Sequence, residues 1–596
     1  MTMKRIRMAA AVVWVGGLTL AGARVQDNRI QPGEIVVTPT IHCVGIYWPV
    51  QGDLNGNAAA DVEYRIQGRG QWKKAFPLWR VVPRTVDMAG NRVDGLPFWQ
   101  GQLKKWAKGG EAGDYAFEHW KMNYLAGSIL GLQAGSSYDI RISLKDPDGG
   151  GANVMLAATT RPVPGIPADG NVVVVTNGTT NLTELIKAGM PGDIFSLQGG
   201  VYAPFVIDAS GEDARPLVVK AAGDGLVVIR GDGENGIEVR GSHVMVAGLT
   251  VEGFAHGHGI HVERNVTGNA VMGCTVNGCW TGIFCGGANG YYADNTVRGI
   301  KEPGKLGDHT EGHGIEIFRG RGGPGNVICY NTITHVADAI RVHCTDADVY
   351  GNSASFGSDD ALEADDGGPN LRLWGNLFYC TGQNGISFQP YMGGPAYLVR
   401  NIVVNGIYQT IKDRYKSSGV IMVNNTFVAM GLTEDAYTQM PEHVFARNNL
   451  FVSTHRDAIQ FHPEDILRPA PALDMDYNGY AGKITGRHAD AFKRADLKAL
   501  TLAQFIAATG QEQHGIEIKA EDCFKTPLPT PDQVRDLVAT WMGLIPDFSL
   551  KEGSPAIDSG VVVPNLAEAF SGGAPDLGAL EFVPTPHWGV RSLPAR

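Results

Sequence analysis

The chain of 596 residues is short of several things, and each shortage narrows what it can be. Charged residues make up only 19% of it, and the formal net charge is −11. Binding a nucleic acid requires a basic face to neutralise phosphates, so this balance argues against that partner. Sustained helical periodicity is scarce, while glycine reaches 79 residues, a mixture that suits many short strands and turns. Eight cysteines would fit an oxidising compartment, but their spacing makes no disulfide framework. Cys274, Cys279 and Cys285 lie close together without the second pair that a zinc site needs, so buried thiols are expected. Long apolar runs are missing too, except at the N-terminus. There Lys4, Arg5 and Arg7 precede the apolar stretch Met8 to Leu20, and Ala21-Gly22-Ala23 offers a small-residue cleavage site. Residues 1–23 read as a secretory signal, because the run is shorter than the ~20 residues of a spanning helix. No membrane span is expected after its removal, and the destination is the periplasm or the exterior. A chain this long exceeds one compact core, so two or more domains or one elongated repeat are expected.

Residues 35–162 differ from the rest. "VGIYWPV" and "DVEYRIQG" alternate as strands do, and "SILGLQAGSSYDIRISLKDPDGG" is followed by "ATTRP". Leu132, a turn, and Tyr138 before "DIRISL" resemble the tyrosine corner of a fibronectin type III domain, with Trp48 and Tyr64 as its early-strand aromatics. Residues 83–123 form a long insertion with Trp99, Trp106, Tyr115, Phe117 and Trp120. Such aromatics stack on sugars or pack a loop against a neighbour, and the packing role is expected. A sandwich of this kind binds or spaces, which puts the chemistry elsewhere.

The remainder repeats. Short strands "GIEV", "GIHV", "GIFC", "GIEI", "AIRV", "ALEA", "GISF" and "TIKD" begin at residues 236, 259, 282, 314, 339, 361, 385 and 410. One enlarged step of 32 residues apart, the period is 22–25. A second row, Asn295, Asn331, Asn352, Asn376, Asn401, Asn425 and Asn449, keeps the same beat. Asn tolerates left-handed backbone, and stacked Asn side chains can bond along a ladder. Two strand rows and an Asn turn per period make one coil of a parallel β-solenoid, each coil pairing with the next at ~4.8 Å.

This pattern resembles the right-handed parallel β-helix superfamily, which includes pectate lyases, polygalacturonases and other polysaccharide-active proteins. "TNLTELIKAGMPGDIFSLQGGVY" at 180–202 looks like its capping helix and first strands, and "GSPAIDSG" and "APDLGALEF" look like its tail. The resemblance spans residues 170–582, with 463–550 as an insertion containing two helices, "LTLAQFIAATGQ" and "PTPDQVRDLVATWMG". The expected fold is all-β: a right-handed parallel β-helix solenoid preceded by a fibronectin type III-like β-sandwich.

The repeat register gives meaning to "SDDALEADDG", residues 358–367, where acids crowd. In "G-I-x-φ-z" the Ile and φ positions face the core, and x and z face out. The Ile row is aliphatic throughout: Ile237, Ile260, Ile283, Ile315, Ile340, Leu362, Ile386, Ile411. The x row reads Glu238, His261, Phe284, Glu316, Arg341, Glu363, Ser387, Lys412; the z row reads Arg240, Glu263, Gly286, Phe318, His343, Asp365, Gln389, Arg414. Glu363 and Asp365 are therefore expected side by side on one strand, between Arg341 and His343 on one coil and Ser387 and Gln389 on the other. A solvated face accounts for Glu238, Arg240 and Glu263, whereas the mixed acids and bases from Glu316 to Arg414 point to a site. His309, Glu311 and His313 in the enlarged coil would wall it, without a zinc signature. Asp359 and Asp360 would cap the turn, bind a cation or act as acids, and Asp366 suits a turn.

Two chemistries fit this groove. A glycoside hydrolase needs one carboxylic acid and one carboxylate. Glu363 would be acid or base, Asp365 (~6.7 Å along the strand) or Glu316 (~9–10 Å away, two coils off) its partner, and Asp360 a further acid. Arg341 and His343 would position substrate, with Gln389, Lys412, Arg414 and His313 as further contacts. No cofactor is needed there. A polysaccharide lyase removes the proton beside a uronate carboxylate, and the resemblance implies a Lys or Arg base: Lys412 or Arg414. Asp359, Asp360, Glu363 and Asp365 would then hold Ca²⁺. A third reading is a non-catalytic glycan-binding or adhesin solenoid, which would show an aromatic row instead. An enzyme on a polysaccharide substrate, hydrolase ahead of lyase, acting as a monomer, is the expectation.

Overall fold

The computed structural model describes residues 28–82, 123–308, 312–365, 367–389, 391, 394–405, 407–413, 417–463, 473–487, 489 and 493–584. The leader, nearly all of the aromatic insertion, His309, Glu311, Asp366 and Arg414 lie outside the described residues.

The in-register aliphatic column is what the chain winds around. Ile237, Ile260, Ile283, Ile315, Ile340, Leu362, Ile386 and Ile411 pair one above another in parallel, and all are fully buried. Around them runs a parallel solenoid with one sheet of 13 strands and another of 23. One coil consists of Val327–Cys329, Thr332–Thr334 and Ile340–Val342; the next repeats it as Asp348–Tyr350, Ser353–Ser355 and Leu362–Glu363. Each coil thus has three strand runs, not the two the sequence suggested. Only two residues, such as Tyr330 and Asn331, separate the first run from the second, so the repeat spacing merged them.

The Asn row is a continuous ladder. From Asn295 through Asn331, Asn352, Asn376, Asn401, Asn425 and Asn449 to Asn478, each amide Nδ2 donates to the next Oδ1 at 2.9–3.0 Å. The other amide proton goes to a backbone carbonyl, as from Asn331 to Tyr292 at 2.9 Å. The left-handed residue at this corner is the one before the Asn, not the Asn itself: Asp294, Tyr330, Gly351, Gly375, Arg400, Asn424, Asn448 and Tyr477 all have φ between 53° and 63°. That conformation turns the chain sharply and aims the Asn side chain inward.

Both ends are closed. Leu182–Lys187, N-capped by Asn181, lays Leu182 and Ile186 over the first coils. At the other end Leu473–Asp476 and Gly479–Gly486 extend the two sheets inside the span read as an insertion, so the solenoid runs one coil further. Two helices then follow, Leu502–Thr509 and Pro531–Thr540, each begun by a Thr–Gln capping box. All eight cysteines are free and buried, and burial pushes the Cys274 and Cys279 thiols up to about 11, as inert core groups.

The N-terminal strands form two antiparallel sheets, one built on Val44–Gln51 and Tyr124–Ile129, the other on Ala59–Ile66, Ser137–Lys145 and Gly151–Thr159. The Tyr138 hydroxyl accepts from the Gln133 amide at 2.8 Å, tying the corner. This unit packs directly on the solenoid, where Ile41, Cys43 and Leu130 join one apolar cluster with Tyr350, Trp374 and Tyr397. Among the described residues no helix is long and apolar enough to cross a membrane.

The Asn ladder ends on a titratable group. Glu512 accepts from Asn478 Nδ2 at 2.7 Å and from the Tyr480 hydroxyl at 2.6 Å. Its burial raises the carboxyl from 4.5 to about 7. The folded state therefore holds a proton that the unfolded chain releases, and the stabilisation present below pH 4.5 fades as pH rises through about 7. Glu512→Gln is expected to remove roughly 3 kcal/mol of that pH dependence, read as a flattened plot of urea midpoint against pH.

Candidate active site

The x row stands as the repeat predicts. Glu238, His261, Phe284, Glu316, Arg341, Glu363, Ser387 and Lys412 are successive parallel partners. Strand alternation points them away from the aliphatic column, and the parallel spacing of ~4.8 Å brings their polar tips together.

Arg341 is the hub. Its Nη1 donates to Glu316 Oε1 at 2.8 Å, and its Nη2 and Nε donate to Glu363 Oε1 at 2.8 and 3.1 Å. Nε also lies 3.6 Å from Asp338 Oδ2. His313 completes the ring: Nε2 accepts from Arg341 at 3.2 Å, which leaves the ring proton on Nδ1, 3.3 Å from Asp338. Burial works to raise the Glu363 carboxyl, but His343 and Arg341 outweigh it and hold the group well below the usual carboxylate range. Burial lowers the Arg341 guanidinium, and Glu363, Asp338 and Glu316 more than reverse that. Glu363 thus stays ionised, clamped by a cation that stays charged.

Asp365 is placed differently from the expectation. The strand ends at Glu363, and Asp365 falls in the turn that follows, buried, with Oδ1 taking a 2.9 Å bond from Ser387. The two carboxylates therefore do not stand side by side on one strand. Burial, reinforced by Glu363, raises Asp365 well above the carboxylate range. The carbonyl of Asp365 accepts from His343 Nδ1, and His343 Nε2 faces Glu363 Oε1 at 3.1 Å. Gln389 is half-buried at the edge.

A second column lies beside the first, two residues before each Ile: Asn235, His258, Thr281, His313, Asp338, Asp360, Asn384. Its members bond from coil to coil. Asp338 Oδ1 accepts from the Asp360 amide at 3.2 Å, and Asp360 Oδ1 accepts from Asn384 N and Nδ2 at 2.9 and 2.7 Å. Lys412 reaches over from the x row, Nζ 3.2 Å from Asp360 Oδ2. Asp338, Asp359 and Asp360 present carboxylate oxygens within 4.8 Å of one another. Burial raises Asp359 to about 10, with Asp338 and Asp360 adding to it, and burial likewise raises Asp360. Asp338 is the functional candidate that sequence reasoning missed. Reading the column before each Gly or Ala would have found it.

The site thus has two halves: a Glu316–Arg341–Glu363 clamp that holds Glu363 ionised, and a carboxylate group under Lys412 in which burial favours the protonated forms of Asp359 and Asp360. A family model described as chondroitinase B matches residues 175–276, the first coils of the solenoid and not those bearing Arg341 and Glu363. No curated protein matches the chain. Among solved structures, a rhamnogalacturonan lyase is similar at 12% identity and a TM-score of 0.34, covering 65% of this chain and 96% of that one. The complex of XylC with xylose is similar at 10% identity and a TM-score of 0.23, covering 58% and 82%. The solenoid and the family-model match together support a polysaccharide-processing β-helix enzyme, with the lyase side favoured.

Removing one partner of a buried charge pair leaves the others uncompensated, at about 3–5 kcal/mol. The Arg341 side chain is 16% exposed and that of Glu316 5%. Arg341→Met is therefore expected to lose roughly 3 kcal/mol at neutral pH and to regain part of it near pH 4–5, as the freed carboxylates protonate; urea unfolding at both pH values checks this.

Proposed function

We propose that the protein is an exported polysaccharide lyase that cleaves a uronate-containing polysaccharide, with the solenoid as the catalytic unit and the fibronectin type III-like sandwich as its support. The observation that carries the reading is the pairing of Lys412 with the crowded Asp338, Asp359 and Asp360, beside a clamp that holds Glu363 ionised. A hydrolase needs a protonated acid and a carboxylate facing each other across the sugar. Here Glu316 and Glu363 are bridged by one guanidinium, and the carboxyls that retain a proton are the buried ones. The hydrolase reading thus finds no free acid at the groove surface among the described residues.

In the lyase reading, a base removes the proton on the carbon next to the uronate carboxylate. The bond to the leaving glycosidic oxygen breaks, that oxygen takes up a proton from the protonated base or from water, and a carbon–carbon double bond forms. Lys412 is the candidate base. Asp360, 3.2 Å from its amine, would hold it in place over the groove. Arg341, held in place by three carboxylates, would orient the sugar ring together with Gln389 and His313, whereas His343, expected from the sequence to contact substrate, has a fully buried side chain and can only position Glu363 from behind. Arg414 stays an untested second base.

A divalent cation fits the carboxylate group. Three hard-oxygen donors lie within 4.8 Å of one another, and burial, with repulsion from Asp338 and Asp360 added, raises Asp359 to about 10, a penalty that Ca²⁺ would relieve. Asp338, Asp359 and Asp360 would hold it, and when bound it would neutralise the uronate and acidify the adjacent proton. We take the enzyme to act as a monomer.

Incubation with uronic, sulfated and neutral polysaccharides is expected to give products with the ultraviolet absorbance of an unsaturated uronate. Lys412→Ala should reduce the rate by roughly 10²–10⁴-fold, and Glu363→Gln should also impair it. Reducing ends without that absorbance would overturn the lyase in favour of a hydrolase.

A further inference from the structure

The two columns that build the acidic site also meet nearer the N-terminus, with different residues. Asn235 and His258 are neighbours in the column before the Gly, and His261 is in the x row, two coils from Glu316. His258 Nδ1 lies 3.0 Å from Asn235 Oδ1 and 3.0 Å from His261 Nδ1. Both rings rest on Phe284, His258 stacked at 4.6 Å and 26° and His261 tilted at 5.0 Å. Phe284 is 93% covered, so the floor is dry, while both imidazoles are half-buried and open to solvent.

Two ring nitrogens cannot both carry a proton toward each other at that distance, so at least one lone pair is aimed into the contact. Nitrogens ~2.1 Å from a common ion at a near-right angle would be ~3.0 Å apart. Three donors from adjacent coils, two imidazoles and one amide oxygen, make a set that suits Zn²⁺, Ni²⁺, Co²⁺ or Cu²⁺ and offers little to Ca²⁺, which prefers several carboxylate and carbonyl oxygens. The in-register pairing of their two strands, Asn235–Val239 and His258–Val262, limits the reorganisation that binding requires.

We propose that Asn235, His258 and His261 form a site for one divalent transition-metal ion, separate from the carboxylate group under Lys412 and facing the same groove. The ion displaces the proton shared in the contact, and its remaining positions are open to water or to a carboxylate or sulfate of a bound polysaccharide. The proposal does not depend on the reaction assigned above.

The test uses untagged full-length protein, dialysed against chelator and titrated with Zn²⁺ by calorimetry and with Co²⁺ by visible absorption. One equivalent is expected to bind, with cobalt bands of a nitrogen-containing site. His258→Gln and His261→Gln, which keep size and polarity, should each weaken binding at least tenfold without shifting the thermal midpoint of the metal-free protein. Asp360→Asn should leave it unchanged, and excess Ca²⁺ should not compete. Absence of saturable binding below about 100 µM metal, a stoichiometry untouched by both His variants, or loss of the site in Asp360→Asn would overturn the proposal.

Discussion

Coil-on-coil register is the constraint on which everything else depends, and the Asn ladder is the interaction that fixes it. Parallel strands alone could slip by two residues without exposing their apolar face. A buried amide cannot slip, because each Oδ1 must meet the preceding coil's Nδ2 and backbone N–H or stay unsatisfied in a dry core. Eight consecutive asparagines meet that condition, from Asn295 to Asn478, and Glu512 receives the last one. The left-handed residue before each Asn repeats the same corner. Residues some 24 positions apart in sequence are thereby held as neighbours.

The same register makes the electrostatics of the groove unavoidable. Any acid repeated at one column position lands ~4.8 Å from its like, where two charges repel strongly away from water. The molecule meets this in two ways. Arg341 is interleaved between Glu316 and Glu363, so Glu363 is held ionised and the guanidinium stays charged. Asp359 and Asp360 lie further from that guanidinium, with Lys412 against Asp360, and there burial favours the protonated carboxyl. Adjacent groups of opposite protonation behaviour are what acid–base chemistry requires.

What the sequence disclosed follows from this periodicity. The aliphatic row and the x row, from Glu238 to Lys412, could be read at sight because period and strand alternation multiply. The z row failed after the strand ended: Asp365 sits in a turn, where alternation no longer dictates direction, and it bonds to Ser387 instead of flanking Glu363. Asp338 was overlooked because it precedes the strand, at a position where the coils carry Asn, His, Thr or Asp and no single residue type runs through. The third strand run was hidden by a two-residue corner too short to interrupt the count. Nothing in the spacing could show that the sandwich touches the solenoid, since that contact joins residues some 250 to 330 positions apart.

That contact gives the sandwich a role other than binding or spacing. Thr40 donates to Asp348 Oδ2 at 2.5 Å, Asp348 pairs with Arg372 through its other oxygen, and Arg372 Nη1 reaches Ser128 at 3.1 Å. Arg372 and Asp348 are fully buried. Such a joint adds little stability over an apolar one of the same size, but it admits one orientation, since any other leaves charges unpaired in the interior. The segments it holds are those that leave the groove. Asn370 donates to the Ile46 carbonyl, Tyr124 donates to Gly394, and Tyr391 links Gly368 to the same loop. Asp365 and Gln389 begin those two segments. The sandwich therefore stiffens the rim of the groove from behind, and the position of its Asp365 edge depends on a domain none of whose described residues joins the Arg341–Glu363 cluster.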